Sequence, residues 1–444
     1  MTASHTLDRV SIAFDDPNLV ANAGRLLPAT LAQHLGLKDL IDDGIHLGAI
    51  AGAANSGEKA MTVISSALAG GDCIDDVDAL RGGASSEVVG HRVAAPSTVG
   101  TFLRAFSWGH VRQLDQVSGE LLCRAWAAGA GPDDAPLTLD IDSTICETYG
   151  VKKQGGSRFT YTKVRGYHPL LAVAAGTGDV LHARFRGGPA HTGRGAESFV
   201  TETIRRVRRA GATGQLTLRA DSGFYGSKVV GACRKNGVRF SITVRLSRSL
   251  HDIIAALAPA EWTPIPYWLE GAADVAETTY IPFGTGGTAV RLIVRRVEPT
   301  PGSQLALAGL SYSYHAFITD RDGDTLELEA DHRRHAEIEN AIRDLKYGVG
   351  LNHLPSGRFN ANAAWMGCNI IAYNLARWMT RLGLREQLLT TKTVRFRYIA
   401  APGRMARSGR RLHLHLPASW PWASSFLAAL ERLRSLSVTL PKPA

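Results

Sequence analysis

The sequence predicts an α/β protein: an all-α N-terminal domain, then a mixed-sheet core into which a β-rich subdomain is inserted. Three observations carry this. Apolar residues recur at helical spacing through residues 1–130, period-two alternation begins at Leu137, and short Gly-, Thr- and Tyr-rich strands follow residue 245. With 444 residues there is chain enough for two or three domains and a sizeable core. A hydrophobic content of 45 % and apolar runs far shorter than a bilayer span exclude a membrane partner. No apolar core follows a basic N-terminus, so no signal peptide is expected. The 5 cysteines are odd in number and form no CxxC pair, which excludes a disulfide framework and a cysteine zinc site.

Helix-like spacing in the first domain covers 29–40, 60–68 and 97–106, with Gly-rich joints between them, and Ser97 after Pro96 is the expected N-cap of the last. From 131 the pattern changes. Leu137, Leu139 and Ile141 alternate with Thr138, Asp140 and Asp142, so both acids project from one face of a strand. Segments 169–175 and 180–186 flank a turn at 176–179 and predict a hairpin. A helix over 197–209, a strand over 216–221, a helix over 226–236 and a strand over 239–244 complete the first part of the core, 131–245. That order is that of a ribonuclease H-like fold. The insertion spans 246–315. The core resumes over 316–383, with a helix through Glu339 and a long helix over 361–382, and a basic tail occupies 384–444.

Three acids suit metal-assisted phosphoryl chemistry. Asp142 and Asp221 stand at the ends of strands, where ligands bind in open α/β sheets. Glu339 is read on one helical face with His332, His335, Ile342 and Lys346. Carboxylates of this kind suit Mg²⁺, and two such ions can activate an attacking hydroxyl and stabilise a leaving oxygen. Plainer roles stay open: Asp140 could replace Asp142, Asp221 could cap a turn, Glu337 competes with Glu339, and Arg343 and Lys346 could be solvated surface. The charge is divided. Residues 1–130 carry 9 Lys/Arg against 14 Asp/Glu, whereas residues 343–444 carry 16 against 3, the footprint of a polyanion-binding surface.

Four blocks carry a family resemblance: Leu139-Asp140-Ile141-Asp142-Ser143-Thr144, Gly166-Tyr167-His168-Pro169-Leu170, Arg219-Ala220-Asp221-Ser222-Gly223-Phe224, and 338–346 from Ile338 to Lys346. They resemble the DDE transposases of bacterial insertion sequences, in the branch with a Tyr-Arg-Glu-Lys signature, closest to the insertion sequence thirteen-eighty group. The resemblance runs from about residue 40 to residue 400. It implies Asp142, Asp221 and Glu339 as catalytic metal ligands for two Mg²⁺ ions, with Mn²⁺ able to substitute. It implies Lys346 as a phosphate contact and places the signature's Tyr and Arg on His332 and His335, both departures, with Arg333 beside them. The implied reaction is cleavage at terminal inverted repeats and joining of 3′-hydroxyl ends to target DNA. The expected partners are double-stranded DNA and a second copy of the chain, in the nucleoid of a bacterial cytoplasm, with the N-terminal domain binding DNA ends or pairing protomers. Arg343, Arg395, Arg397, Arg404, Arg407, Arg410 and Arg411 are the expected backbone contacts. In that branch an insertion aromatic can stack on a flipped base, for which Trp262 and Trp268 are the candidates.

Overall fold

The computed structural model describes residues 7–149, 152–266, 272–284, 287–299, 312–386 and 389–437. Its strands, in chain order, are β1 (Leu19–Val20), β2 (Leu137–Ser143), β3 (Cys146–Glu147), β4 (Arg158–Phe159), β5 (Arg165–Tyr167), β6 (Leu170–Ala174), β7 (Val180–Arg184), β8 (Leu216–Ala220), β9 (Arg239–Thr243), β10 (Thr263–Pro264), β11 (Ala273–Tyr280), β12 (Val290–Val297), β13 (Ser313–Thr319), β14 (Gly403–Ser408) and β15 (Arg411–His415).

The central strand forms where the alternation put it. Leu139 and Ile141 are fully buried, and β2 lies between antiparallel β6 and parallel β8. β7 continues the meander and β9 adds parallel to β8. The order β7-β6-β2-β8-β9 is 3-2-1-4-5 in these core strands, the ribonuclease H-like arrangement. The helices Ala196–Arg209 and Ser227–Lys235 make the crossovers that parallel pairing requires.

The strands read as an inserted subdomain prolong this same sheet. β13 pairs antiparallel with β9, and β12, β11 and β10 follow, giving nine strands in the order β10-β11-β12-β13-β9-β8-β2-β6-β7. An open β9 edge would leave a row of unpaired backbone groups, which β13 satisfies. A small cluster of Ile265, Val275, Ile293, Phe317 and Leu328 packs this extension.

Several N-terminal expectations change. The helix read over 29–40 is two, Leu26–His34 and Leu37–Gly44, broken at Gly36. Gly36 takes φ +64°, and a Cβ there would come within 2.6 Å of the Arg124 guanidinium. Ser97 is not an N-cap: Pro96 occupies the first helical position of Pro96–Arg104 and Ala95 precedes it, as proline's fixed φ and missing N–H favour. An unexpected helix, Trp108–Ala125, starts at Ser107, whose hydroxyl accepts from the His110 N–H.

The helix Phe359–Trp378 is buried on nearly every side, between the N-terminal helices Ser56–Ala69 and Trp108–Ala125 and strand β7. One hydrophobic core therefore runs unbroken from Leu27 through the sheet to Leu433. The region read as a basic tail is folded where it is described. β14 pairs with β15 and with β1, and the helix Ala423–Arg434 buries Phe426, Ala429, Leu430 and Leu433. Those apolar positions recur at three- and four-residue steps, a core-facing stripe that the charge count had hidden. Among the described residues no helix is long and apolar enough to cross a membrane.

Candidate active site

β2 and β8 run parallel, with Ile141 beside Ala220 as the last paired residues. One step further, Asp142 and Asp221 stand together at the C-terminal ends of adjacent strands. The Asp142 Oδ1 accepts a bond from the Ser143 N–H at 2.6 Å. Burial pushes its carboxyl up to about 6, and the negative charges of Asp221 and Glu339 add to that rise. Asp142 therefore senses both other acids. The Asp221 Oδ1 accepts from the Gly223 N–H at 3.0 Å, so this residue also caps the turn Ser222–Phe224. Glu339 lies exposed in the first turn of the helix Glu337–Gly348.

Asp140 is used differently. It is 1 % exposed, and its two oxygens accept from Arg219 Nε and Nη2 at 2.6 and 2.7 Å. His335 Nδ1 is 3.0 Å from the same carboxylate. Arg219 also donates to the backbone and carboxylate of Asp331, which pairs in turn with Arg321. This buried pair, with His335, engages both oxygens of Asp140, whereas Asp142 has no Lys or Arg ion-pair partner among the described residues.

The neighbouring acids are neutralised: Asp140 by Arg219, Asp331 by Arg321 and Glu337 by Arg334. Among the described residues no such ion pair neutralises Asp142, Asp221 or Glu339. Two like charges felt at a third carboxylate, with hard oxygen donors, fit a divalent cation. In this state they do not close on a point. Among the described residues, the group of three ligating side chains with atoms all within 4.8 Å of one another is Asp72, Cys73 and Asp76, on an N-terminal turn. A cavity of about 420 Å³ flanks the site, lined by Asp140, Glu337 and Asn340, and neither it nor a second of about 400 Å³ is lined by the three acids.

A second layer was missed in the sequence, although its motif 166–170 had stood out. His168 is buried; its Nδ1 lies 2.8 Å from the Ala190 carbonyl and its Nε2 lies 2.8 Å from Ser143 Oγ. A carbonyl can only accept, so Nδ1 carries the proton, Nε2 accepts, and the Ser143 hydroxyl donates. Burial lowers the His168 pKa, which favours the neutral ring. Arg186 fixes the adjoining loop by donating to the carbonyls of His168, His191, Thr192 and Arg194.

The helical face predicted for Glu339 is broken. One helix ends at Arg333, a 3-10 turn covers Arg334–Ala336, and the next helix begins at Glu337. His332 is thereby turned inward. It bonds the hydroxyls of Ser241 at 2.8 Å and Thr243 at 3.0 Å, and it stacks on Phe317 at 4.0 Å. It is 5 % exposed and cannot face DNA, which corrects that expectation. His335 is partly exposed beside Asp140, and Arg333 is partly buried. Lys346 donates to the Ile145 carbonyl at 2.8 Å, so it stands at the exit of β2, next to the acids.

The arginines divide. Arg343, Arg404, Arg407, Arg410 and Arg411 are exposed; Arg343 donates to Asn340, Arg404 pairs with Asp16, and Arg407 pairs with Glu87. Arg397 is half-buried over Trp422. Arg395 is a correction: its guanidinium donates to the carbonyls of Leu68, Ala67 and Gly348, tying two helix ends together. Arg395→Ala is expected to destabilise the fold by about 1–3 kcal/mol. DNA affinity of the folded fraction should stay within about twofold, because the guanidinium is engaged by three backbone carbonyls. Denaturant melts beside fluorescence anisotropy check it, and an affinity loss without a stability loss would contradict it. Trp262 is half-buried, with the Arg296 guanidinium 4.2 Å over its ring, and Trp268 lies outside the described residues.

A family model described as transposase DDE domain group 1 matches residues 3–438. The chain belongs to that family. It matches no curated protein. A solved structure similar to it is the cryo-EM piggyBac transposase synaptic complex with hairpin DNA, at 12 % identity and a TM-score of 0.46. That match covers 87 % of this chain and 80 % of the other. The buried Asp140–Arg219 pair ties together the two strands that carry Asp142 and Asp221.

Proposed function

We propose that this chain is an insertion-sequence transposase of the thirteen-eighty group that cuts DNA at terminal inverted repeats and joins the freed 3′-hydroxyls to target DNA. The observation that carries the reading is the meeting of Asp142 and Asp221 at adjacent parallel strand ends, with the Glu339 charge acting on Asp142 while the surrounding acids are paired. Asp142, Asp221 and Glu339 would hold two Mg²⁺ ions, which when bound supply an activated nucleophile and charge stabilisation at the phosphate. The residues themselves position and neutralise. Ser143, held by His168, keeps the Asp142 strand end in place. Lys346 offers a cation at the mouth of the site, and the exposed Arg404, Arg407, Arg410 and Arg411 offer contacts to the DNA backbone without reading its sequence. Glu339 is exposed at the protein surface, where a polymeric substrate can reach it. Two ends must be brought together for transposition, so we place two protomers in the DNA complex.

The test compares wild type with Glu339→Gln on a labelled duplex carrying the flanking repeat. Cleavage at the repeat boundary should fall by about 10³-fold or more while binding survives, since the carboxylate acts on reacting groups and not on affinity. Equal cleavage by both proteins would remove Glu339 from the site. A pre-cut 3′-end then separates a transposase from a metal-dependent nuclease on the same fold, which would yield no joined product.

A further inference from the structure

The chain between β3 and β5 leaves the strand of Asp142 and returns to His168. It carries β4, and β3-β5-β4 form a separate three-stranded sheet. Its base is anchored. The Tyr167 hydroxyl donates to the Gln154 carbonyl at 2.6 Å, the Gln154 N–H donates to the Gly357 carbonyl at 2.8 Å, and Lys153 donates to the Ser356 carbonyl at 3.1 Å. Its outer surface is unusual for a soluble protein. Tyr149, Phe159 and Tyr161 are 90 %, 64 % and 75 % exposed. Lys152, Arg158 and Lys163 are exposed among them, and Glu147 is the only acid between residues 147 and 166.

Large rings cost free energy in water, and single exposed ones are common; three on one short basic sheet want a partner. A polyanion with flat faces matches both features, since bases stack on aromatic rings while the backbone meets the cations. Paired bases offer no free faces, so the match is to unpaired ones. The sheet is also in the right place: the Tyr161 ring lies 5.5 Å from His168, which bonds Ser143, the neighbour of Asp142. Trp262, one of the two insertion aromatics that the resemblance offered, is half-buried with Arg296 4.2 Å over its ring, whereas Phe159, over which Arg165 lies at 5.4 Å, keeps 64 % of its surface exposed.

We propose that this finger, through Tyr149, Phe159 and Tyr161, is a stacking platform for unpaired DNA bases beside the phosphate to be cut. The inference rests on the reading of the acids as a DNA-cleaving site. Strain at the cut is then relieved by splaying the strand onto the finger, and the finger adds little to binding of intact duplex.

The test uses the full chain and two labelled duplexes of the flanking repeat, one fully paired and one with four mismatched bases at the boundary. 2-Aminopurine in the splayed strand reports stacking. Phe159→Ala with Tyr161→Ala should weaken binding of the splayed duplex about tenfold and abolish the quenching, with less than about threefold loss on the paired duplex. Phe159→Tyr with Tyr161→Phe, which keeps both rings, should restore both readouts. Equal losses on the two duplexes, or no loss on the splayed one, would overturn the platform. Wild type that neither binds nor cuts the repeat would overturn the cleavage reading beneath it. Normal cutting by the double alanine variant, with unchanged quenching, would overturn the platform alone.

Discussion

Asp142→Asn is expected to eliminate metal-dependent cleavage, by about 10³-fold or more, and at the same time to stabilise the metal-free protein. The two effects have one cause. Burial and the charges of Asp221 and Glu339 raise the Asp142 carboxyl from 3.8 to about 6. The folded-state value lies above the unfolded one, so this group favours the fold below about pH 4, and that contribution is lost as pH rises through 6. Above pH 6 the native state carries the full cost of an ionised, desolvated carboxylate, up to about 3 kcal/mol for a shift of roughly two units. Asparagine keeps the acceptor for the Ser143 N–H and removes the charge. Denaturant melts in chelator at pH 7.5 and pH 4 should show the variant more stable at the first and nearly equal at the second. A variant less stable than wild type at pH 7.5 would mean that the acid is held by favourable contacts, not by a missing cation.

Arg219→Met is expected to destabilise the protein by about 3–5 kcal/mol. Arg219 is 1 % exposed, and its loss leaves the equally buried Asp140 carboxylate with His335 as its remaining partner. A carboxylate stranded in the sheet interior pays its desolvation without return. Asp140→Leu with Arg219→Met together should recover most of the loss, because the pair's attraction is largely offset by the cost of burying both charges. A double-mutant cycle by urea denaturation measures the coupling. Additive single losses would show that the two side chains act independently despite their bidentate contact.

The core strands were legible because period-two alternation in 137–143, and again through Leu216, Leu218 and Ala220, leaves few alternatives. Helix boundaries were less so. Gly36 and the Arg334–Ala336 turn break two helices at points where the apolar spacing runs on, and the spacing carries no record of a local change in backbone twist. His332 shows the consequence: a phase shift of one short turn moved it from a supposed DNA face to a stack on Phe317. The C-terminal region misled for another reason. Its basic count is a property of composition, while Arg395 spends its charge on three backbone carbonyls inside the fold.

By itself the sequence determined the mixed-sheet class, the strand ends that carry Asp142 and Asp221, and the concentration of basic charge in the last third. Alternation, strand-ending acids and charge are local properties, written in neighbouring residues. Only the tertiary structure decided that Asp140 is paired with Arg219, that His168 backs Ser143, that the inserted strands extend the core sheet, and that the exposed aromatics stand on the finger between β3 and β5. Each of these joins residues far apart in the chain or depends on which side of a strand meets solvent, and only packing of the whole core fixes those relations.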